Sequence, residues 1–297
     1  MANDRNSCLS NSCLSLVSAR PPWRPVSRLT QLAVVIALIA GNPDTALAQT
    51  DYFNTDAGRP VRIEDAYAVE RRAFEIQLAP LRLERSSGGR YQWGIEPELA
   101  YGILPRTHIE IGTPLAYVDG LDEGTAGLAG IDVSLFHNLN VETAVPAFAI
   151  VASGLLPAGH LGPDKAYGTL KAIMTRTFRW ARVHVNGEYT IGDAEAESAD
   201  TDTPEGSAVA ELSRWMAGVA VDRTLPLRSL LLTAEVFAEE PLQESGDLRW
   251  NTGLGVRYQL SPRFNVDAGL GRRLTGDDQS WHVTFGAAVG VGLPWHP

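Results

Sequence analysis

From Tyr91 the chain alternates. Tyr91, Trp93, Ile95, Pro97, Leu99, Tyr101 and Ile103 hold one phase, while Arg90, Gln92, Gly94, Glu96, Glu98, Ala100 and Gly102 hold the other. A period of two sustained this far describes a strand with one apolar and one polar face; a helix would repeat its apolar positions three and four apart. The pattern returns at Ile109–Tyr117, Ile131–Leu135, Val183–Ile191, Trp215–Val221, Leu230–Val236, Trp250–Tyr258, Phe264–Leu270 and Trp281–Val291. Three further segments are less regular. Phe74–Arg85 slips phase near Pro80, as at a bulge. Ala144–Leu156 is apolar on both phases, and Tyr167–Phe178 puts Lys171 and Arg176 on opposite phases. Together these make about twelve strands, with no competing helix after Phe74.

The connections alternate as well. Ser86–Gly89, Asp119–Gly127, Pro157–Ala166, Asp193–Ala210, Pro241–Asp247 and Leu274–Ser280 are the longer ones. Between them fall tight turns at Leu104–Arg106, Asn138–Asn140, Arg179–Trp180, Leu225–Leu227 and Ser261–Pro262. Short turns at one end and longer loops at the other are the pattern of a transmembrane barrel. Hydrocarbon leaves no solvent for an unpaired sheet edge, so such a sheet must close. The predicted fold is therefore all-β: a closed antiparallel transmembrane up-and-down barrel over residues 73–297, apolar phase toward lipid and polar phase inward. A soluble barrel of lipocalin type would need the reverse facing. Aromatics support the membrane reading. Trp93, Tyr117, Tyr189, Trp215, Trp250 and Trp281 lie near long-loop ends, and Tyr101 and Tyr258 near short-turn ends, where two bilayer interfaces favour such rings.

Ahead of the barrel, Leu32–Ala40 is the one long apolar run, too short for the ~20 residues a spanning helix needs. Arg20, Arg24 and Arg28 precede it, and Ala46-Leu47-Ala48 follows, so residues 1–48 read as a secretory signal peptide with an N-terminal extension. Cys8 and Cys13, the chain's two cysteines, fall inside it. The 48 residues hold four Arg and two Asp, so their removal takes the net charge from −10 to −12. An acidic chain without a basic stripe is not a nucleic-acid binder. Residues 49–72 are polar and lack alternation; they are expected as a periplasmic N-terminal segment or a plug in the lumen.

The polar phase carries Glu96, Glu98, Glu110, Asp132, Arg182, His184, Glu188, Asp222, Glu235, Arg249, Arg257 and Asp267. They read either as a lining that selects solutes or as salt bridges filling a small barrel. Glu96 and Glu98 share a face, but a paired-carboxylate acid/base site would also need a substrate cleft. His108, His184 and His282 share the interior phase at different heights, which argues against one metal site. The acidic run Glu195, Glu197, Asp200, Asp202 and Glu205 reads as a solvated loop. No catalytic set, metal site or cofactor motif is predicted.

Several segments carry a resemblance: Phe53-Asn54-Thr55-Asp56, Gly127–Val133, Pro146–Ala149 leading to Gly154–Gly159, and Gly271–Asp278. The mature chain resembles a family of outer-membrane barrels named for the meta-cleavage pathway of phenol degradation, whose members are labelled transporters. Such barrels usually end on an aromatic, whereas this chain ends Trp295-His296-Pro297. The resemblance implies an outer-membrane location in a Gram-negative bacterium and passage of small hydrophobic or aromatic solutes. The partners expected are outer-membrane lipid and lipopolysaccharide, the barrel-assembly machinery and the solute. Two other readings are carried: a barrel-wall enzyme of phospholipase type, and a structural or adhesive barrel with a filled interior.

Overall fold

The computed structural model describes residues 54–85, 91–118, 124–192, 212–242, 248–276 and 279–292. The leader with its two cysteines, the acidic run of 195–205 and the C-terminal Trp295-His296-Pro297 lie outside the described residues. The strands are β1 (Ala73–Arg85), β2 (Tyr91–Leu104), β3 (Thr107–Gly112), β4 (Leu115–Val118), β5 (Thr125–Leu128), β6 (Ile131–Asn138) and β7 (Ala147–Leu156). They continue with β8 (Tyr167–Thr177), β9 (Arg182–Ile191), β10 (Ser213–Leu225), β11 (Leu230–Pro241), β12 (Arg249–Ser261), β13 (Phe264–Arg273) and β14 (Trp281–Gly292). All pairings between them are antiparallel, and β1 pairs with both β2 and β14, which closes the sheet.

Fourteen segments make twelve staves. β3 and β4 are one stave interrupted at Thr113-Pro114, and β5 and β6 are one interrupted at Ala129-Gly130. Pro114 has no N–H to donate, and Gly130 sits at φ 120°, where a Cβ would also meet Leu155. The wall nevertheless stays knitted. Thr113 N–H donates to the Pro97 carbonyl (3.1 Å) and Ala129 N–H to the Pro114 carbonyl (2.8 Å). The result is a break in two adjacent staves; sequence periodicity predicts the first as one continuous strand, Ile109–Tyr117, and begins the second only at Ile131. The loop expected at Asp119–Gly127 is accordingly shorter, because β5 begins at Thr125.

The apolar phase faces outward. Leu99, Ile111, Leu135, Ile150, Leu170, Val219, Leu232, Leu254, Leu270 and Phe285 are exposed, while Gln77, Thr175, Asn186, Asp222, Thr233 and Asn265 are buried inside. A soluble core is the opposite, so the belt is matched to lipid. The irregular segments resolve within this scheme. Register shifts between Gln77 and Leu81 mark a bulge in β1, which moves the outward phase from Ile76 and Leu78 to Leu83. In β8 Lys171 faces the lumen, and Arg176 emerges on the lipid side next to the turn, where Glu142 meets it at 3.5 Å. The connection predicted as a tight turn at Asn138–Asn140 instead runs through residues 139–146. The Asn140 side chain holds it, donating to the Pro146 carbonyl (2.8 Å) and accepting from Phe148 N–H (3.0 Å).

Candidate functional site

Residues 54–72 fill the waist of the barrel. Both ends of the segment lie on the short-turn side. Arg72 N–H bonds the Gly102 carbonyl (2.7 Å), and Asn54 borders a small pocket with Ala73, Phe74 and Gly290. Between these ends the chain follows the inner wall. Val69 N–H donates to His108 Nδ1 (3.0 Å) on β3, and Ala66 N–H to Thr175 Oγ1 (2.9 Å) on β8. Glu64 exchanges two bonds with the Asn186 side chain on β9, and Ile63 N–H donates to Glu235 (2.9 Å) on β11. Pro60 O accepts from Thr284 on β14 (3.0 Å), and Arg59 reaches Asp267 (2.6 Å) and Asn265 (3.2 Å) on β13. Arg257 on β12 binds the Asn54 and Arg59 carbonyls and Asp56. Asp65 ties the loop into a ring by accepting Thr55 N–H (3.1 Å), while Asp65 N–H donates to the Thr55 carbonyl (3.2 Å). A segment without regular structure thus satisfies its backbone on wall side chains, as a buried loop must.

Packing completes the seat. Ala66, Tyr67 and Ala68 lie on Phe136, Ala147, Ala149, Val151 and Ile173. This explains why the β7 region is apolar on both phases: one side meets lipid and the other meets the plug. Ile63 packs on Met216, Ala220 and Phe237. Gly255 and Gly269, direct cross-strand neighbours, form the floor under Pro60; a Cβ on Gly269 would fall inside the shell of the Pro60 carbonyl.

Behind Ala66 lies a relay. Asp222 takes Nε2–H of His184 (2.9 Å) and a bidentate grip from Arg182 (2.9 and 2.5 Å). An ionised carboxylate only accepts, so Nε2 of His184 carries a proton; in the neutral ring Nδ1 is then the acceptor for the Thr175 hydroxyl (2.9 Å), whose oxygen accepts Ala66 N–H. Hydroxyl, imidazole and carboxylate are in line as in a hydrolase. Yet Thr175 and His184 are fully buried, behind the plug and away from lipid. The arrangement holds the segment; it has no access to a substrate. Sequence spacing places His184 and Asp222 inside but carries no signal for Thr175 as their partner.

Of the other predicted interior residues, Arg182, Arg257 and Asp267 bind the plug directly, and Asp222 holds Arg182 and His184 behind it. Arg249 lies on the inner phase at the long-loop end of β12. Glu96, Glu98, Glu110, Asp132, Glu188 and Glu235 line a cavity of about 320 Å³ on the long-loop side of the plug. Arg62, Arg82 and Lys171 are its permanent cations; Lys171 binds Glu64 (2.8 Å) and Arg62 binds Glu188 (2.9 Å). An apolar strip of Leu115, Phe136, Val151, Leu155 and Phe237 shares the wall. His108 joins the small pocket on the short-turn side and His282 the large cavity, so the three interior histidines are not brought together. Among the described residues no group of His, Cys, Asp and Glu is arranged to hold a metal. The predicted interfacial aromatics border lipid. Trp93 stacks on Tyr117 (5.8 Å), Tyr101 on Phe74 (4.4 Å), and Trp215 donates to Glu240 (2.6 Å); Tyr189, Trp250, Tyr258 and Trp281 are exposed.

Docking of the segment is linked to pH. Burial pushes Asp65 from 3.8 up to about 6, against the pull of Arg182, and burial also raises Glu64 against Lys171. A raised acid binds its proton more tightly docked than free, so the docked form is favoured below the free value and loses that advantage as pH rises through the docked value. For Asp65 the window is 3.8 to about 6. The anisotropy of a dye on an Ala57→Cys variant should fall as pH is raised from about 4 to 7. Asp65→Asn should flatten that slope; an unchanged slope would remove Asp65 as its source.

No family model matches the chain, and no curated protein sequence does. Among solved structures, the outer membrane channel from Pseudomonas putida F1 superposes with a TM-score of 0.51 at 12% identity, over 76% of this chain and 98% of that one. The KdgM porin gives a TM-score of 0.43 at 10% identity, covering 75% and 99%, and the NanC porin 0.47 at 6%, covering 72% and 98%. At these identities the likeness to the Pseudomonas putida channel is one of fold: a closed twelve-stranded barrel of the outer-membrane type.

Proposed function

We propose that this chain is an outer-membrane channel for small hydrophobic or aromatic solutes, exported by a cleaved leader and stoppered by its own residues 54–72. The observation that carries this reading is the cavity of about 320 Å³ held inside a barrel with an apolar exterior. The apolar strip beside the charged wall suits a solute with an apolar body, and the family resemblance of the sequence supports the same class. The fold shared with a Pseudomonas putida channel supports transport. The buried ion pairs of the plug favour a second reading, a structural barrel with a filled interior.

The cavity wall holds eight carboxylates, Asp56, Glu64, Glu96, Glu98, Glu110, Asp132, Glu188 and Glu235, against three permanent cations. A low-dielectric wall with this excess attracts cations. Removing residues 54–69 takes away Asp56, Glu64 and Arg62 and leaves six carboxylates against Arg82 and Lys171, so currents through the shortened chain should be cation-selective in a planar bilayer. Lysine at Glu96, Glu98 and Asp132 together should move the reversal potential toward anions. Absence of current in the shortened chain, together with normal aromatic-solute uptake in a deletion strain, would leave the structural reading in place.

A further inference from the structure

We propose that the short-turn rim of the barrel is a binding surface for anionic phospholipid headgroups. The proposal rests on the membrane reading above. Four of the five short turns carry an arginine: Arg106, Arg179, Arg228 and Arg263. Arg176 and Arg223 stand on the lipid-facing phase of β8 and β10, near the same rim. Arg106, Arg179, Arg223 and Arg228 are exposed. This basic ring runs against the chain's net charge of −10.

The turns contain one carboxylate, Glu142, and it is occupied. It accepts from Thr177 N–H (2.8 Å), the Thr177 hydroxyl (2.7 Å) and the Tyr67 hydroxyl (3.2 Å), and it pairs with Arg176 (3.5 Å), which also donates to the Thr143 carbonyl (2.8 Å). Among the described residues, no carboxylate lies within ion-pair distance of Arg179, Arg223 or Arg228.

Apolar side chains alternate with these charges. Phe178 stacks on Trp180 (6.2 Å), which is 62% exposed, and Leu227 at the tip of its turn is fully exposed. Such residues suit the acyl boundary, while a guanidinium beside them reaches the phosphate layer and grips a phosphodiester with two N–H groups. Arg223 decides the partner class. A soluble protein or nucleic acid would approach the turn tips from below, whereas the exposed Arg223 side chain leaves the barrel wall sideways, where the bilayer edge is.

The test uses the full chain in vesicles of phosphatidylcholine, alone or mixed with phosphatidylglycerol, followed by native mass spectrometry of retained lipid. Phosphatidylglycerol should be retained in preference. Arg179→Gln/Arg223→Gln/Arg228→Gln should lower that preference roughly tenfold or more. Lysine at the three positions should keep part of it, and Arg85→Gln at the opposite end should leave it unchanged. Equal retention of both lipids by a chain that inserts overturns the proposal, as does an undiminished preference for phosphatidylglycerol in the triple variant. Failure to insert into either vesicle overturns the membrane reading itself, and the rim proposal with it; heat-modifiable migration on gels reports insertion separately from lipid choice.

Discussion

Deleting residues 54–69 should turn a stoppered barrel into an open, water-filled pore, raising single-channel conductance by an order of magnitude or more. The segment crosses the lumen between the large cavity and the short-turn end, and its backbone is tied to β3, β8, β9, β11 and β14. Once it is gone, the waist is lined by Asn186, Glu188, Asp222, Glu235, Arg257 and Asp267, all polar, and water fills such a lumen. The wall does not depend on the plug. β1 closes on β14 through its own ladder, from Ala73 opposite Gly292 to Arg85 opposite Trp281. The apolar seat at Phe136, Ala149 and Ile173 would become wet, at roughly 25 cal/mol per Å² exposed, a loss a closed ladder should survive. A folded barrel whose conductance stays at the wild-type level would mean that wall side chains close the lumen.

The second large effect is expected from Asp267→Ala. Arg59 has no exposure to solvent, and Asp267 is its nearest carboxylate at 2.6 Å, with Asp56 at 3.6 Å. Arg257 also leans on Asp267, at 3.5 Å. Removing one partner of a buried pair typically costs about 3–5 kcal/mol, because the remaining charge is stranded. Here the cost has a ceiling. An unpaired Arg59 can reach water if the segment leaves the lumen, so the loss cannot exceed the free energy of docking. Lower thermal stability and open-pore conductance should therefore appear together. Arg59→Met combined with Asp267→Leu should recover much of both, since an apolar pair of similar volume often matches a buried ion pair. If Asp267→Ala melts and conducts like the wild type, the Arg59 contact is not what seats the plug.

Strand periodicity places Glu96, Glu98, Glu110 and Asp132 on one interior wall, because a period of two assigns every side chain to a face. It also locates the β1 bulge near Pro80. It misplaces the turn after β6, since Val141, Ala144 and Val145 look strand-like, whereas Asn140 folds the chain into a loop by bonding Pro146 and Phe148. It misses the breaks at Pro114 and Gly130, which depend on one absent N–H and one left-handed backbone. The apolar inner face of β7 is visible as an anomaly in the sequence, but its partner, Ala66–Ala68, is not.

What the sequence by itself determined is local: twelve staves, their alternating connections and the outward apolar face. These follow from backbone geometry and from the absence of water in hydrocarbon, which apply to each strand in turn. What only the tertiary structure decided is the occupancy of the interior. Arg59 meets Asp267 across 208 positions, and Ile63 meets Glu235 across 172. A repeating pattern assigns a charge to the inside but does not specify its partner. That partner is set by the barrel's circumference, which brings remote residues to the same height around one short segment.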